Sequence, residues 1–108
     1  MNKGVKPAMA HNVYFWVKEG TSEQEILGFE KGLKKLGTVP TLLHYYWGKP
    51  APTEKRNVTD HSYHYSINAL FASLADHNTY QVDPIHNEFV ESHSTIWEKV
   101  KVYDNLTN

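Results

Sequence analysis

Two groups suited to acid–base chemistry, Tyr80 and His86, flank the joint between two predicted short helices. Asp83 is a good helix N-cap, because its carboxylate can accept an amide proton of the first turn, and Pro84 fits the first helical position. His86 then lies near the positive end of the helix dipole, which favours neutral imidazole. The pattern predicts a base at His86 and, at Tyr80, a phenol that can polarise a carbonyl. The alternative is that both residues only close the core around the joint.

The seven histidines do not by themselves predict a metal site, because zinc needs three or more converging ligands. His61 and His64 lie on opposite faces of a predicted strand, and His86 and His93 are two helical turns, about 10 Å, apart. His11 and His86 can converge across the core, but the pattern offers no third ligand. We therefore expect neither a metal nor a cofactor. Ordinary polar packing accounts for His44, His61, His77 and His93.

Composition limits the classes of function. The chain has 108 residues, a net charge of −1 and no cysteine, which indicates one domain without disulfides or a thiolate site. No basic stripe is present, so nucleic-acid binding is not expected. The first ten residues lack the apolar core of a signal peptide, and no run is long enough to span a membrane. We therefore expect a cytoplasmic protein. Seven Tyr, four Phe and three Trp suit an interface or a pocket.

Hydrophobic periodicity and turn signals predict the order strand, helix, strand, strand, helix pair, strand. This order indicates an α+β protein with the ferredoxin-like split βαβ arrangement, in which helices cover one face of a four-stranded antiparallel sheet. The predicted domain spans residues 11–104, between a flexible arm (1–10) and a tail (105–108). The predicted strands are 11–18, 41–49, 61–71 and 97–103, and the predicted helices are 22–36, 72–80 and one that begins at Pro84.

Strands one and two carry large aromatic residues on both faces, as at Tyr14, Phe15 and Trp16. A sheet with one face in water would alternate apolar and polar residues. Because helices cover only one face in this fold, we expect the other face to pack against a second copy, with two-fold symmetry. Within the first helix, Gly28 and Gly32 lie one turn apart. They indicate either close packing on the sheet or room beside a ligand.

The sequence resembles the stress-responsive A/B barrel (Dabb) family of dimeric α+β barrel proteins. The likeness runs from about residue 11 to residue 104 and depends on the order and spacing of several segments rather than on one motif. It implies a homodimer whose two sheets form one barrel, in agreement with the argument from the strands. The segments that carry the resemblance are 11–20, 46–49, 63–71 and 83–89.

The resemblance implies less about function, because many members have no assigned activity and plant members are linked to stress or defence. In one plant member, a polyketide cyclase, the catalytic pair falls on Tyr80 and His86, and a further pocket histidine falls on His11. Two positions depart from the family pattern. Tyr65 replaces a usual histidine of the third strand, and Asp83 replaces the histidine that often precedes the proline.

Together these observations predict a pocket between sheet and helices that binds a small organic molecule, such as a carbonyl compound. The alternative function is an enzyme of polyketide-cyclase or related acid–base type that uses Tyr80 and His86. Two further alternatives are a non-catalytic protein whose own side chains fill the pocket and a structural protein that only assembles. The other predicted pocket residues are His11, Tyr65, Ile67 and Phe89.

Overall fold

The computed structural model describes residues 4–108, and its elements follow the predicted order. Four strands form one sheet, and three α-helices pack on one of its faces. None of the helices in residues 4–108 combines the length and the apolar character needed to cross a membrane. The elements are β1 (Met9–Val17), α1 (Glu23–Leu36), β2 (His44–Gly48), β3 (Tyr65–Phe71), α2 (Leu74–Val82), α3 (Pro84–His93), a 3₁₀ turn (Ser94–Ile96) and β4 (Trp97–Leu106).

The sheet has the strand order β2-β3-β1-β4, and every neighbouring pair is antiparallel. The two central strands are the first of each split βαβ half, and the helices return the chain to the edges. The ferredoxin-like α+β fold predicted from the element order is therefore confirmed. In this register His11 of β1 lies opposite Ala69 of β3 and Asp104 of β4.

Several element boundaries differ from the prediction. Strand β1 begins at Met9, which is buried and pairs with Leu106. Residues 9 and 10 of the predicted arm and residues 105 and 106 of the predicted tail therefore belong to strands, and residues 1–3 lie outside the described part of the chain. Strand β3 begins at Tyr65 rather than at residue 61, and β2 begins at His44 rather than at residue 41.

The two predicted N-caps are present and fix the starts of α1 and α3. The Ser22 hydroxyl accepts the Glu25 amide proton at 3.1 Å, and the Glu25 carboxylate accepts the Ser22 amide proton at 3.1 Å. The Asp83 carboxylate accepts the Ile85 amide proton at 2.8 Å. Because Pro84 is the first residue of α3, His86 occupies its third position.

An aromatic cluster centred on Phe29 joins α1, α3 and the sheet. Phe29 is fully buried, and its ring centroid lies 5.3 Å from that of Phe15, 5.2 Å from Tyr65 and 5.8 Å from Phe89. One turn along α1, a methyl group on Gly32 would lie 2.3 Å from Nε2 of His93. Gly32 therefore permits close packing, as expected, but against α3 rather than against the sheet.

The second face of the sheet carries no helix. Its aromatic rings lie in edge contact, with 4.9 Å between the centroids of Tyr14 and Tyr63 and 6.1 Å between those of Tyr14 and Tyr103. Polar groups lie among them: the Asn68 amide donates to the Asn12 side chain at 2.9 Å. This open face thus mixes rings with polar groups, whereas the helix face is almost entirely apolar.

Candidate functional site

A groove of about 170 Å³ lies on the helix side of the sheet, between helices α2 and α3 and strands β1 and β4. One end is polar and is formed by His11, Tyr80, Gln81 and His86. The remainder is apolar. Its lining there comes from Val13, Phe15, Leu36, Ile67, Phe89, Val90, Trp97, Val100 and Val102.

Tyr80 and His86 meet at the polar end, as predicted from the helix joint. Their ring centroids are 4.9 Å apart, with the rings inclined at 68°. The Tyr80 side chain is almost completely buried, and burial raises the pKa of its hydroxyl well above the usual value. Because the phenol stays protonated at neutral pH, Tyr80 can donate a hydrogen bond but cannot serve as a base.

His86 has the opposite character. Burial lowers the pKa of His86 below its ordinary value of 6.5, positive charge on His11 or His77 lowers it further, and the Asp83 carboxylate opposes both effects. The imidazole is therefore neutral at neutral pH and has a free lone pair that can accept a proton. A protonated phenol and a neutral imidazole thus lie side by side.

His11 lies at the same end of the groove and is held from two sides. Its Nδ1 is 2.5 Å from Oδ1 of Asp104 on β4, and its ring centroid is 4.8 Å from that of His77 on α2. The Tyr80 ring is 5.9 Å away. Burial lowers the pKa of His11, and the Asp104 carboxylate opposes this shift.

Asp104 and His77 lie beside this end of the groove, although neither is among the predicted site residues. His77 precedes Tyr80 by three residues on one helix, a spacing that puts both side chains on one face and could have pointed to it. Asp104 had no such signal, because its place beside His11 depends on the register between β1 and β4. His11, His77 and Asp104 each offer a metal-ligating atom, and these atoms lie within 4.8 Å of one another.

Five of the six predicted site residues line the groove, and Tyr65 does not. It lies opposite Phe15 at the start of β3, so its side chain reaches α1 rather than α2. There its hydroxyl donates to the Glu30 carboxylate at 2.5 Å, and Lys49 lies 3.4 Å from the same oxygen. Tyr65 lines a separate hollow beside Lys49 and Ile26. The five residues in the groove are His11, Ile67, Tyr80, His86 and Phe89.

Comparison with solved structures shows the same fold at low sequence identity. A hydroxynitrile lyase from Passiflora edulis is 21% identical with a TM-score of 0.77, and the match covers 95% of this chain and 96% of the lyase. A Dabb family protein with a ferredoxin-like fold from Mesorhizobium loti is 22% identical with a TM-score of 0.74, covering 95% and 99%. A dimeric ferredoxin-like protein of unknown function from Thermobifida fusca is 15% identical with a TM-score of 0.75, covering 94% and 92%.

No curated protein matches the chain by sequence. The model of the stress responsive A/B barrel domain family, in contrast, matches residues 9–106. This match extends from the first residue of β1 to the last residue of β4, so it includes every strand, every helix and the whole groove. It agrees with the resemblance found along residues 11–104. The chain therefore belongs to the stress responsive A/B barrel domain family.

Proposed function

We propose that the protein binds a small carbonyl compound in the groove, with the carbonyl oxygen at Tyr80 and the neighbouring carbon at His86. The observation that carries this proposal is the pairing of a phenol and an imidazole, 4.9 Å apart, at the one polar end of an apolar groove. Pockets that bind organic ligands combine such an apolar lining with a few polar groups that orient the ligand.

The size of the groove narrows the class of ligand. An apolar cavity of about 150 Å³ can hold benzene, whereas pockets for drug-sized ligands begin near 300 Å³. At about 170 Å³, this groove suits an aldehyde or ketone that carries one ring or a short chain. A long linear polyketide exceeds this volume, so a cyclase acting on such a substrate is not the function we favour.

An acid–base enzyme is a second candidate, and the opposite pKa shifts of Tyr80 and His86 favour it. The imidazole of His86 would take a proton from the carbon beside the carbonyl. The electron pair of that C–H bond would form a C=C bond while the π pair of the carbonyl moves to its oxygen, and the Tyr80 hydroxyl would donate a hydrogen bond to the resulting enolate oxygen. A hydroxynitrile lyase shares the fold, but fold alone does not transfer an activity.

Binding is tested by calorimetric titration with benzaldehyde and with benzyl alcohol, which has the same ring but no carbonyl. Tyr80→Phe removes only the hydroxyl, and we expect it to weaken benzaldehyde binding by about fivefold, since a hydrogen bond contributes about 1 kcal/mol and about 1.4 kcal/mol is tenfold. Tyr46→Phe is the matched control, because Tyr46 is 64% exposed on the open face. Equal binding of the two compounds, or unchanged binding in Tyr80→Phe, contradicts the proposal.

Catalysis is tested separately by following the exchange of the methyl protons of acetophenone with deuterium in heavy water by NMR. We expect exchange above the buffer rate with the wild-type protein and a loss of about 100-fold in His86→Gln, in line with the usual contribution of a general base. His44→Gln, on β2 away from the groove, is the control. No exchange by the wild type excludes the enzyme but leaves the binding proposal standing.

We also propose that the protein is a homodimer in which the open faces of two sheets pack together. Exposed rings on that face support this, as does a dimeric structural neighbour with the same fold. Sedimentation of the wild type is expected to give a dimer, and Tyr103→Glu to give a monomer. Leu27→Glu on α1 is the control, because Leu27 is 53% exposed and Tyr103 is 56% exposed. A monomeric wild type at micromolar concentration overturns the dimer.

A further inference from the structure

Three potential metal ligands from different parts of the chain converge beside the groove. His11 comes from β1, His77 from α2 and Asp104 from β4, and one ligand atom of each lies within 4.8 Å of the others. His11 is buried, His77 is half-buried, and the Asp104 side chain is 42% exposed. The set is therefore anchored in the core at one side and open to solvent at the other, which gives an ion a route of entry.

We propose that His11, His77 and Asp104 bind one divalent transition-metal ion of the zinc class per chain. Imidazole nitrogens suit zinc and its neighbours, whereas magnesium and calcium prefer sets made only of oxygen ligands. Two imidazoles and one carboxylate, with further positions open to water or ligand, form a common set for such ions. This site goes beyond the carbonyl-binding function, which needs no ion.

The geometry requires only small movements. Nδ1 of His11 and Oδ1 of Asp104 are 2.5 Å apart, and an ion bound to both at about 2.1 Å requires roughly 3.4 Å between them in tetrahedral geometry. The Asp104 side chain lies on an edge strand and is partly exposed, so it can rotate outward by this amount. The longest separation between the ligand atoms, up to 4.8 Å, has to shorten by about 1.5 Å to reach tetrahedral spacing.

His77 can make that movement by giving up two hydrogen bonds, while its edge-on contact with the Phe71 ring, 5.4 Å between centroids, limits how far the ring shifts. One ring nitrogen lies 3.1 Å from the Asn78 side-chain oxygen, and the other lies 3.4 Å from the Gln81 side-chain nitrogen. Both partners are on its own helix and are displaced at little cost. The ion would then lie at the polar end of the groove, where the rings of His11 and Tyr80 are 5.9 Å apart, and would leave Tyr80 and His86 unligated.

The test is calorimetric titration of the full chain, stripped with chelator, with zinc chloride. We expect one high-affinity ion per chain, a loss of at least tenfold in affinity in His77→Ala and in Asp104→Asn, and no loss in His61→Ala. His61 is a matched control because it lies in an exposed segment away from the three ligands, with its Nε2 2.8 Å from the Thr53 hydroxyl. Magnesium chloride is expected to give no binding.

Thermal unfolding provides a second measurement on the same proteins. Zinc should raise the Tm of the wild type and of His61→Ala but not of the two site variants, because an ion that binds only the folded state stabilises it. If His77→Ala fails to fold, the result for Asp104→Asn tests the proposal. That change keeps the size of a partly exposed side chain and should not prevent folding. The proposal is overturned by a wild type that binds no stoichiometric zinc, or by site variants that bind zinc as the wild type does. Benzaldehyde binding by the stripped protein tests the proposed function independently.

Discussion

Replacing Gly32 by alanine is expected to destabilise the protein, whereas the same change at Gly28, one turn earlier on α1, is expected to stabilise it. Alanine is favoured over glycine in a helix interior by about 1 kcal/mol. A methyl group at Gly28 has no neighbour within 4 Å, so this gain is kept. At Gly32 the methyl group would lie 2.3 Å from Nε2 and 2.7 Å from Cδ2 of His93.

The ring of His93 cannot move aside freely, which sets the size of the effect. Its centroid is 5.8 Å from that of Phe29 and 5.6 Å from that of Phe89. Overpacking of this kind typically costs about 1–3 kcal/mol. Gly32→Ala should therefore be less stable than Gly28→Ala by about 1–3 kcal/mol, the two helix-propensity gains being equal.

Urea unfolding followed by tryptophan fluorescence measures both free energies of unfolding. In a His93→Ala background the clash is absent, so Gly32→Ala should become stabilising, by about 1 kcal/mol. If Gly32→Ala stabilises the wild-type protein as much as Gly28→Ala does, His93 does not confine that position. The close packing of α1 on α3, which places Phe89 in the groove wall, is then refuted.

Three further predictions concern pH, the separate hollow and the core. Burial lowers the pKa values of His86 and His93 below 6.5 in the folded protein. Because the unfolded chain then binds protons more readily, the free energy of unfolding should fall as the pH drops through 6.5. It should level off below the lowered pKa values of the folded state. Urea titrations at pH 7.5 and 5.5 with equal midpoints would contradict this. Tyr65→Phe removes the hydrogen bond that lowers the pKa of Glu30, so NMR titration should show that pKa rising toward 4.5. Benzaldehyde binding should stay unchanged, because Tyr65 lies outside the groove. Weaker binding would mean that Tyr65 belongs to the ligand site. Phe29→Ala should lower the free energy of unfolding by about 3–5 kcal/mol, measured in urea, and a loss below 1 kcal/mol would refute the central role of Phe29 in the aromatic cluster.

Much of the candidate site could be predicted because its signals are local. The Asp83 cap, Pro84 and His86 lie within four residues, and the cap alone places His86 in the first turn of α3. Alternation along β3 places Ile67, which is buried, on the helix face. Tyr65 shares that face, yet it reaches Glu30 on α1 instead of the groove, because alternation identifies the face of a strand but not the helix that covers each position.

Local sequence patterns predicted the order of the elements, the ferredoxin-like fold, the helix caps at Ser22 and Asp83, and a site that combines Tyr80 with His86. These follow from periodicity and from contacts a few residues apart, where chain geometry leaves little choice. Other features depend on long-range packing: Gly32 packs on His93, Tyr65 lies apart from the groove, and Asp104 and His77 lie beside His11. His11 and Asp104 are 93 residues apart in the chain. Their contact depends on a strand register that is set by the packing of the whole core rather than by either residue's neighbours.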